Sequence, residues 1–225
     1  GYLVIGTGRR LERLAQLKQE YGQHFLPLAF DISDRNATEA ALKSLPPEWQ
    51  AIDLLVNNAG LALGMESADK ANLDDWEKMI DTNVKGLVTM TRLVLPQMVA
   101  RNQGHIINLG SIAGSYAYPG GNVYGGTKAF VKQFSLNLRA DLAGTNIRVS
   151  NVEPGLCGGT EFSNVRFKGD DARADKLYEN VQYVTPQDIA NIVLWLNQQP
   201  EHVNINRIEV MPTAQTFAPL NVARN

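Results

Sequence analysis

Short apolar runs alternate with stretches of helical period along nearly all of this 225-residue chain, and no other feature restricts its fold as much. The run YLVI at 2–5 is followed by Leu11, Leu14, Leu17 and Tyr21, spaced as one face of a helix over 10–21 that Gly22 ends. HFLPLAFD at 24–31 returns to strand character, and Asp34 can cap a helix carrying Ala37, Ala40, Ala41 and Leu45 before Pro46 and Pro47 stop it. IDLLV at 52–56 is a continuous apolar run closed by Asn57, Asn58, Ala59 and Gly60, as in a strand covered on both faces. A helical pattern over 73–101, the strand HIINLG and a helix over 123–143 come next. The strand NIRVSNVEP, a helix opened by Thr185, Pro186 and Asp188 and running to 198, and a last strand INRIEV complete the series.

This order predicts an α/β fold: a doubly wound parallel sheet, Rossmann-like, with helices on both faces. No composition shift, repeat or linker divides 1–225, and 44% hydrophobic residues are enough to build one core, so a single domain is expected. The least regular stretch, 156–180, is rich in Gly, Asp, Asn and Lys. It follows a strand's carboxyl end, where such folds bind ligands, so it reads as a substrate loop or lid; 211–225 reads as a C-terminal tail. A net charge of -2 gives no basic excess that would seek nucleic acid or an anionic membrane. No apolar stretch approaches the ~20 residues of a membrane span, and no signal-like segment opens the chain. Cys157 is the single cysteine, which excludes an internal disulfide and points to a reducing compartment, and no Cys/His cluster has metal-ligand spacing. The chain thus reads as cytoplasmic, with a small-molecule partner.

Chemistry concentrates in NLGSIAGSYAYPGGNVYGGTKAF at 108–130. Tyr124 and Lys128, four apart on a helix, share one face. The pair alone is weak, but Ser111 after a buried strand, the Asn57-Asn58-Ala59-Gly60 turn and Asn83 in DTNVKG agree with it. Oxidising an alcohol needs a base, and a phenol of pKa near 10 needs a cation to serve as one. An ammonium about 4 Å away is worth ~4 kcal/mol at an effective dielectric of 20, on the order of 3 pKa units, so Lys128 is expected to bring Tyr124 near 7. Ser111 can hold the substrate oxygen beside Tyr124. Arg9 and Arg10 open a helix where positive charge opposes the macrodipole, a placement that asks for an anion nearby.

These residues resemble the short-chain dehydrogenase/reductase family: its Tyr-x-x-x-Lys pair, upstream serine, Asn-Asn-Ala-Gly turn, helix asparagine and Pro-Gly, here Pro154-Gly155. The likeness covers essentially the whole chain and implies one dinucleotide-binding and catalytic domain, an enzyme acting on the CH–OH group by hydride transfer. It makes Tyr124 the base, gives Lys128 a hydrogen bond to the nicotinamide ribose, and has Asn83 hold a water that relays the proton from Lys128. The plainer reading of Asn83 is a polar residue stabilising a helix irregularity. Arg9 and Arg10 would select the 2′-phosphate of NADP over NAD, Asp31 and Ile32 would contact adenine, and Asn58 the adenosine ribose side. Pro154, Gly155, Leu156, Cys157, Gly158, Gly159, Thr160, Glu161 and Phe162 complete the expected cofactor contacts.

The longer runs NNAGLALGMESADKA, GGNVYGGTKAFVKQFSLNLR and GGTEFSNVRFKGDDARADK resemble NADP-dependent members that oxidise small 3-hydroxy acids such as serine, allo-threonine, 3-hydroxypropionate or 3-hydroxyisobutyrate, or reduce malonic semialdehyde. A carboxylate substrate asks for a cation, and of Arg166 and Lys168 the former can grip it bidentately; a solvated loop charge is the equal alternative for Arg166. A homotetramer built through the helices carrying Asn83 and Tyr124 is also implied. Cys157 is expected merely to pack near the cofactor, and His24, His105 and His202 to be structural. One departure is large. The family's Thr-Gly-x-x-x-Gly-x-Gly loop occurs nowhere, and Gly6-Thr7-Gly8 cannot replace it because Arg9 and Arg10 follow at once. The resemblance therefore implies a longer natural protein, with roughly two dozen residues forming a first strand and helix, and two bare strand edges without them. A reductase of another carbonyl, such as an acyl thioester, and a non-catalytic NADPH-binding protein remain open as rival readings.

Overall fold

The structure, a computed structural model, describes residues 1–216. Six parallel strands alternate with helices. They are β1 (Val4–Gly8), β2 (Phe25–Ala29), β3 (Leu54–Asn57), β4 (Gly104–Leu109), β5 (Ile147–Pro154) and β6 (Arg207–Val210). The helices are α1 (Leu11–Tyr21), α2 (Arg35–Lys43), α3 (Leu73–Ile80), α4 (Leu87–Arg101), α5 (Asn122–Asp141), α6 (Phe162–Arg166), α7 (Asp171–Lys176) and α8 (Pro186–Asn197). Asp34 accepts from the Ala37 N–H at 3.0 Å, and Thr185 with Asp188 forms a full capping box, as their positions before helical runs predict.

Strands lie in the order β3-β4-β5-β6, with β1 and β2 paired as a separate ribbon. β4 shows why continuous apolar runs mark the centre. Ile106 joins Met90, Val94 and Met98 of α4 and Leu138 of α5 on one face, while Ile107 packs with Val152 and Leu196 of α8 on the other. Helices on both faces make this the doubly wound class. Among the described residues β1, β2, β3 and β6 each pair on one side only, and Val4 and Val56 are exposed although both belong to apolar runs. The ribbon is held to the larger sheet through Phe30 and Ile32, which pack against the α4–α5 core.

Three sequence expectations need correction. The helical pattern over 73–101 is not one helix: a π-helical segment, Asp81–Gly86, separates α3 from α4 and buries Asn83. The wide turn lets both amide hydrogens of Asn83 leave the helix, one to the Leu61 carbonyl at 2.8 Å and one to the Thr127 hydroxyl at 3.1 Å. Within 156–180 the chain is not irregular but forms α6 and α7, joined through Lys168 and Gly169 at positive φ. Nor is the start of 211–225 a free tail, because Gln215 docks on the turn after β5; 217–225 lie outside the described residues. No helix among the described residues is long and apolar enough to cross a membrane.

Candidate active site

β4 ends at Leu109, and Ser111 caps a short 3-10 turn, Ile112–Gly114, accepting from the Ala113 N–H at 3.1 Å. The turn lies directly on α5. A Cβ at Gly114 would stand 2.6 Å from the Lys128 carbonyl carbon, and one at Gly125 would stand 2.9 Å from the Ala113 oxygen. Two glycines therefore allow backbone contact between turn and helix, which brings Ser111 to Tyr124. Lys128, buried one helical turn on, donates to the Leu109 carbonyl at 2.7 Å, with its ammonium 5.9 Å from the centre of the Tyr124 ring. Asn83 Oδ1 accepts from the Leu61 N–H at 2.8 Å, and a Cβ at Gly60 would lie 3.3 Å from that oxygen and 3.5 Å from Lys128 Nζ. The four residues singled out by sequence thus converge. Both amide hydrogens of the Asn83 side chain are engaged, by Leu61 and Thr127.

The expected acidity of Tyr124 does not hold among the protein's own groups. Burial pushes the phenol up to about 12, against smaller downward pulls from Ser111 and Arg166. The Lys128 ammonium is itself directed at the Leu109 carbonyl, and burial lowers its pKa to about 8.

A cleft of about 1400 Å³ opens between β1–α1, the Asn58–Leu61 turn and the α6–α7 segment. Arg9, Arg10, Asp31, Ile32, Asn58, Gly159, Thr160, Glu161 and Phe162 are among the residues that line it; Pro154, Gly155, Leu156, Cys157 and Gly158 are not. Gly155 N–H donates to the Val210 carbonyl and Gly158 N–H to that of Val184. Cys157 is half-buried, and burial raises its thiol pKa. The arginines have found their anions within the protein: Arg9 is 3.6 Å from Asp31, while Glu161 takes Arg10 at 2.7 Å and Arg13 at 2.6 Å. Arg13 was missed by sequence reasoning, although it follows Arg10 by three on one helix face and so carried a signal.

The α6 segment is fastened over Tyr124. Gly64 N–H donates to the Arg166 carbonyl at 2.9 Å, and Arg166 Nε returns a bond to the Gly64 carbonyl at 3.2 Å. The guanidinium then reaches the Tyr118 hydroxyl at 2.9 Å and stands 5.5 Å from the Tyr124 ring centre. Lys168 instead pairs with Asp75 at 2.7 Å, away from this group. Tyr118, which no spacing rule marks, was also missed. The assembly offers a buried phenol, a hydroxyl donor and an ammonium in one corner, with a guanidinium within reach: the parts needed to move a proton on an alcohol or carbonyl whose substrate carries an anionic group.

The sequence model of the short chain dehydrogenases matches residues 1–171. The probable NADP-dependent dehydrogenase of Haemophilus influenzae is 76% identical over 224 residues, spanning 100% of this chain and 89% of that protein. The NADP-dependent 3-hydroxy acid dehydrogenase YdfG of Escherichia coli K12 is 62% identical, spanning 100% and 90%. Among solved structures, the closed form of serine dehydrogenase complexed with NADP+ superposes with a TM-score of 0.99 at 62% identity, over 100% of this chain and 91% of that one. By fold, by the grouping of Ser111, Tyr124 and Lys128, and by these likenesses, the chain belongs to the short-chain dehydrogenase family.

Proposed function

We propose that this chain is an NADP-dependent oxidoreductase that oxidises small 3-hydroxy acids of the serine, allo-threonine or 3-hydroxypropionate type, or reduces the corresponding semialdehyde. One observation carries the reading: Ser111, Tyr124 and Lys128 share a corner with the Arg166 guanidinium, and that corner adjoins the cleft through Gly60 beside Lys128 and Phe162 beside Tyr124, both of which line it together with Arg9, Arg10 and Arg13. The cleft suits a phosphorylated dinucleotide, since its arginines already hold carboxylates where a 2′-phosphate could be gripped. Arg9 and Arg10 would hold that phosphate, Asp31, Ile32 and Asn58 the adenosine, Gly159, Thr160 and Phe162 the inner end, and Lys128 the nicotinamide ribose. No residue here is assigned to the pyrophosphate, because Gly6 and Gly8 lie in β1. Once bound, the nicotinamide supplies the hydride acceptor.

Ser111 donates its hydroxyl hydrogen to the substrate oxygen and fixes it beside Tyr124. Tyr124, as phenolate, takes the hydroxyl proton, and returns it in the reverse direction. Lys128 steadies the phenolate, and Arg166 takes the substrate carboxylate with the guanidinium edge that Gly64 and Tyr118 leave free. Asn83 holds the Leu61 turn under Lys128. The relatives' names and the arginine at the phenol both support a hydroxy acid over a neutral carbonyl. A cytoplasmic homotetramer belongs to the same proposal, with exposed Val99 of α4 and Phe130 of α5 as apolar surface that a subunit contact could cover; light scattering measures that mass.

The test is NADP-dependent oxidation of a panel of short hydroxy acids by the full chain. Tyr124→Phe is expected to abolish turnover, and surviving activity would overturn the mechanism. Arg166→Ala is expected to raise KM for carboxylate substrates roughly tenfold or more while sparing KM for NADP; an unchanged substrate KM removes Arg166 from the site.

A further inference from the structure

We infer that Gln215, in the segment after β6, is a positioning residue for the reaction: its side-chain carbonyl sets the turn by which β5 enters the cleft. This rests on the oxidoreductase reading above. β5 ends at Pro154, which has no N–H to give, so the next two backbone donors decide where the chain goes. Gly155 N–H donates to the Val210 carbonyl at 2.7 Å, continuing the β6 ladder, and Leu156 N–H donates to Gln215 Oε1 at 2.8 Å. The Leu156 carbonyl in turn accepts from the Val184 N–H at 3.1 Å, so both backbone groups of Leu156 are held.

The approach of Gln215 is close. A Cβ at Gly155 would lie 2.3 Å from Gln215 Oε1 and 3.1 Å from Met211 Cγ, so the glycine of the Pro-Gly pair leaves the space this side chain fills. Gln215 is itself steadied by a turn in which its N–H donates to the Pro212 carbonyl at 2.9 Å. On the far side of the turn, the Pro154 carbonyl faces Ser111 Oγ at 3.4 Å, and three residues beyond Leu156 the chain becomes the cleft wall at Gly159 to Phe162. One amide oxygen from the end of the chain therefore governs two things at once: where the Ser111 hydroxyl finds its competing acceptor, and where the cofactor-side loop begins. Neither Gln215 nor Met211 is among the residues that line the cleft, so Gln215 acts through the turn, by its bond to the Leu156 N–H.

Two near-isosteric variants separate hydrogen bonding from packing. Gln215→Met keeps the volume and loses the acceptor; Gln215→Glu keeps the acceptor. We expect Gln215→Met to lose roughly tenfold in kcat/KM, mainly in kcat, and Gln215→Glu to stay within about twofold of the parent, the size of effect that follows from leaving one buried N–H unpaired. Hydrogen exchange of the Leu156 amide, which needs no turnover, should be protected in the parent and in Gln215→Glu and accelerated in Gln215→Met. A Met variant with parental kinetics and parental Leu156 protection overturns the inference. So does equal damage in both variants, which would mean packing alone. A parent chain inactive with NADP and every hydroxy acid tested sinks the reading of function instead, leaving the exchange result to decide on Gln215.

Discussion

At Tyr124 the decisive balance is between burial and nearby positive charge. Burial pushes the phenol up to about 12, and only Ser111 and Arg166 draw it down. Oxidation uses the phenolate and reduction the phenol, so the two directions must respond oppositely to pH. The kcat/KM for hydroxy acid oxidation should climb with a slope of about one through the neutral and alkaline range, while that for semialdehyde reduction falls at high pH. The sign for Arg166 follows: removing a cation near the phenol, as in Arg166→Ala, should carry the rising limb to still higher pH. A pH–rate profile with the oxidation limb complete by neutral pH would instead mean that Lys128 holds the phenol near its working value, as the four-residue spacing alone predicts. The Lys128 ammonium donates to the Leu109 carbonyl at 2.7 Å and stands 5.9 Å from the ring centre, so its charge still favours the phenolate, from farther away than the roughly 4 Å that the spacing argument assumes.

Between elements, the site depends on how closely a turn can lie on a helix. Gly114 sits where any Cβ would meet backbone atoms of α5 at 2.6 and 2.7 Å, and backbone cannot swing aside as a side chain can. Gly114→Ala should therefore cost about 1–3 kcal/mol in chemical denaturation and lower kcat by shifting Ser111 off Tyr124. An alanine variant with unchanged stability and turnover would show that the turn is free to lift. Such contacts mark the limit of what the chain reveals before folding. Long periodic helices such as α4 and α5, and the apolar strands, were legible because each carries its own pattern, and Ser111, Tyr124 and Lys128 because strand end and helix spacing place them. The helices α6 and α7 run only five and six residues, too short for a period to emerge. Arg166 with Tyr118, and Gln215 with Leu156, meet across 48 and 59 residues of sequence, and no local rule encodes such a pairing. The π segment was hidden for another reason: its residues keep helical character while one wide turn shifts their register.

For the molecule as a whole, stability should carry an acid-sensitive part that comes from β4. His105 lies beside β5 in the middle of the sheet, 2% exposed, with Nε2 2.9 Å from the Ser150 hydroxyl. Burial, helped by the positive charge of Arg148, lowers its pKa from 6.5 to about 4, so the folded protein keeps the ring neutral. An unfolded chain takes up the proton near pH 6.5. The contribution is therefore complete above that pH and is lost as pH falls from 6.5 towards 4. The shift corresponds to about 3 kcal/mol at 1.36 kcal/mol per unit, a large share of the roughly 5–15 kcal/mol that holds a domain folded. Carboxylates held low by hydrogen bonds or by cations, such as Asp188 and Glu161, act in a lower window, so His105 should dominate the first loss of stability on acidification. Urea unfolding of the parent at pH 7 and pH 5 should show the drop, and His105→Asn, although less stable at pH 7, should lose much less between those two pH values. An equal pH-dependent loss in that variant would place the acid sensitivity elsewhere.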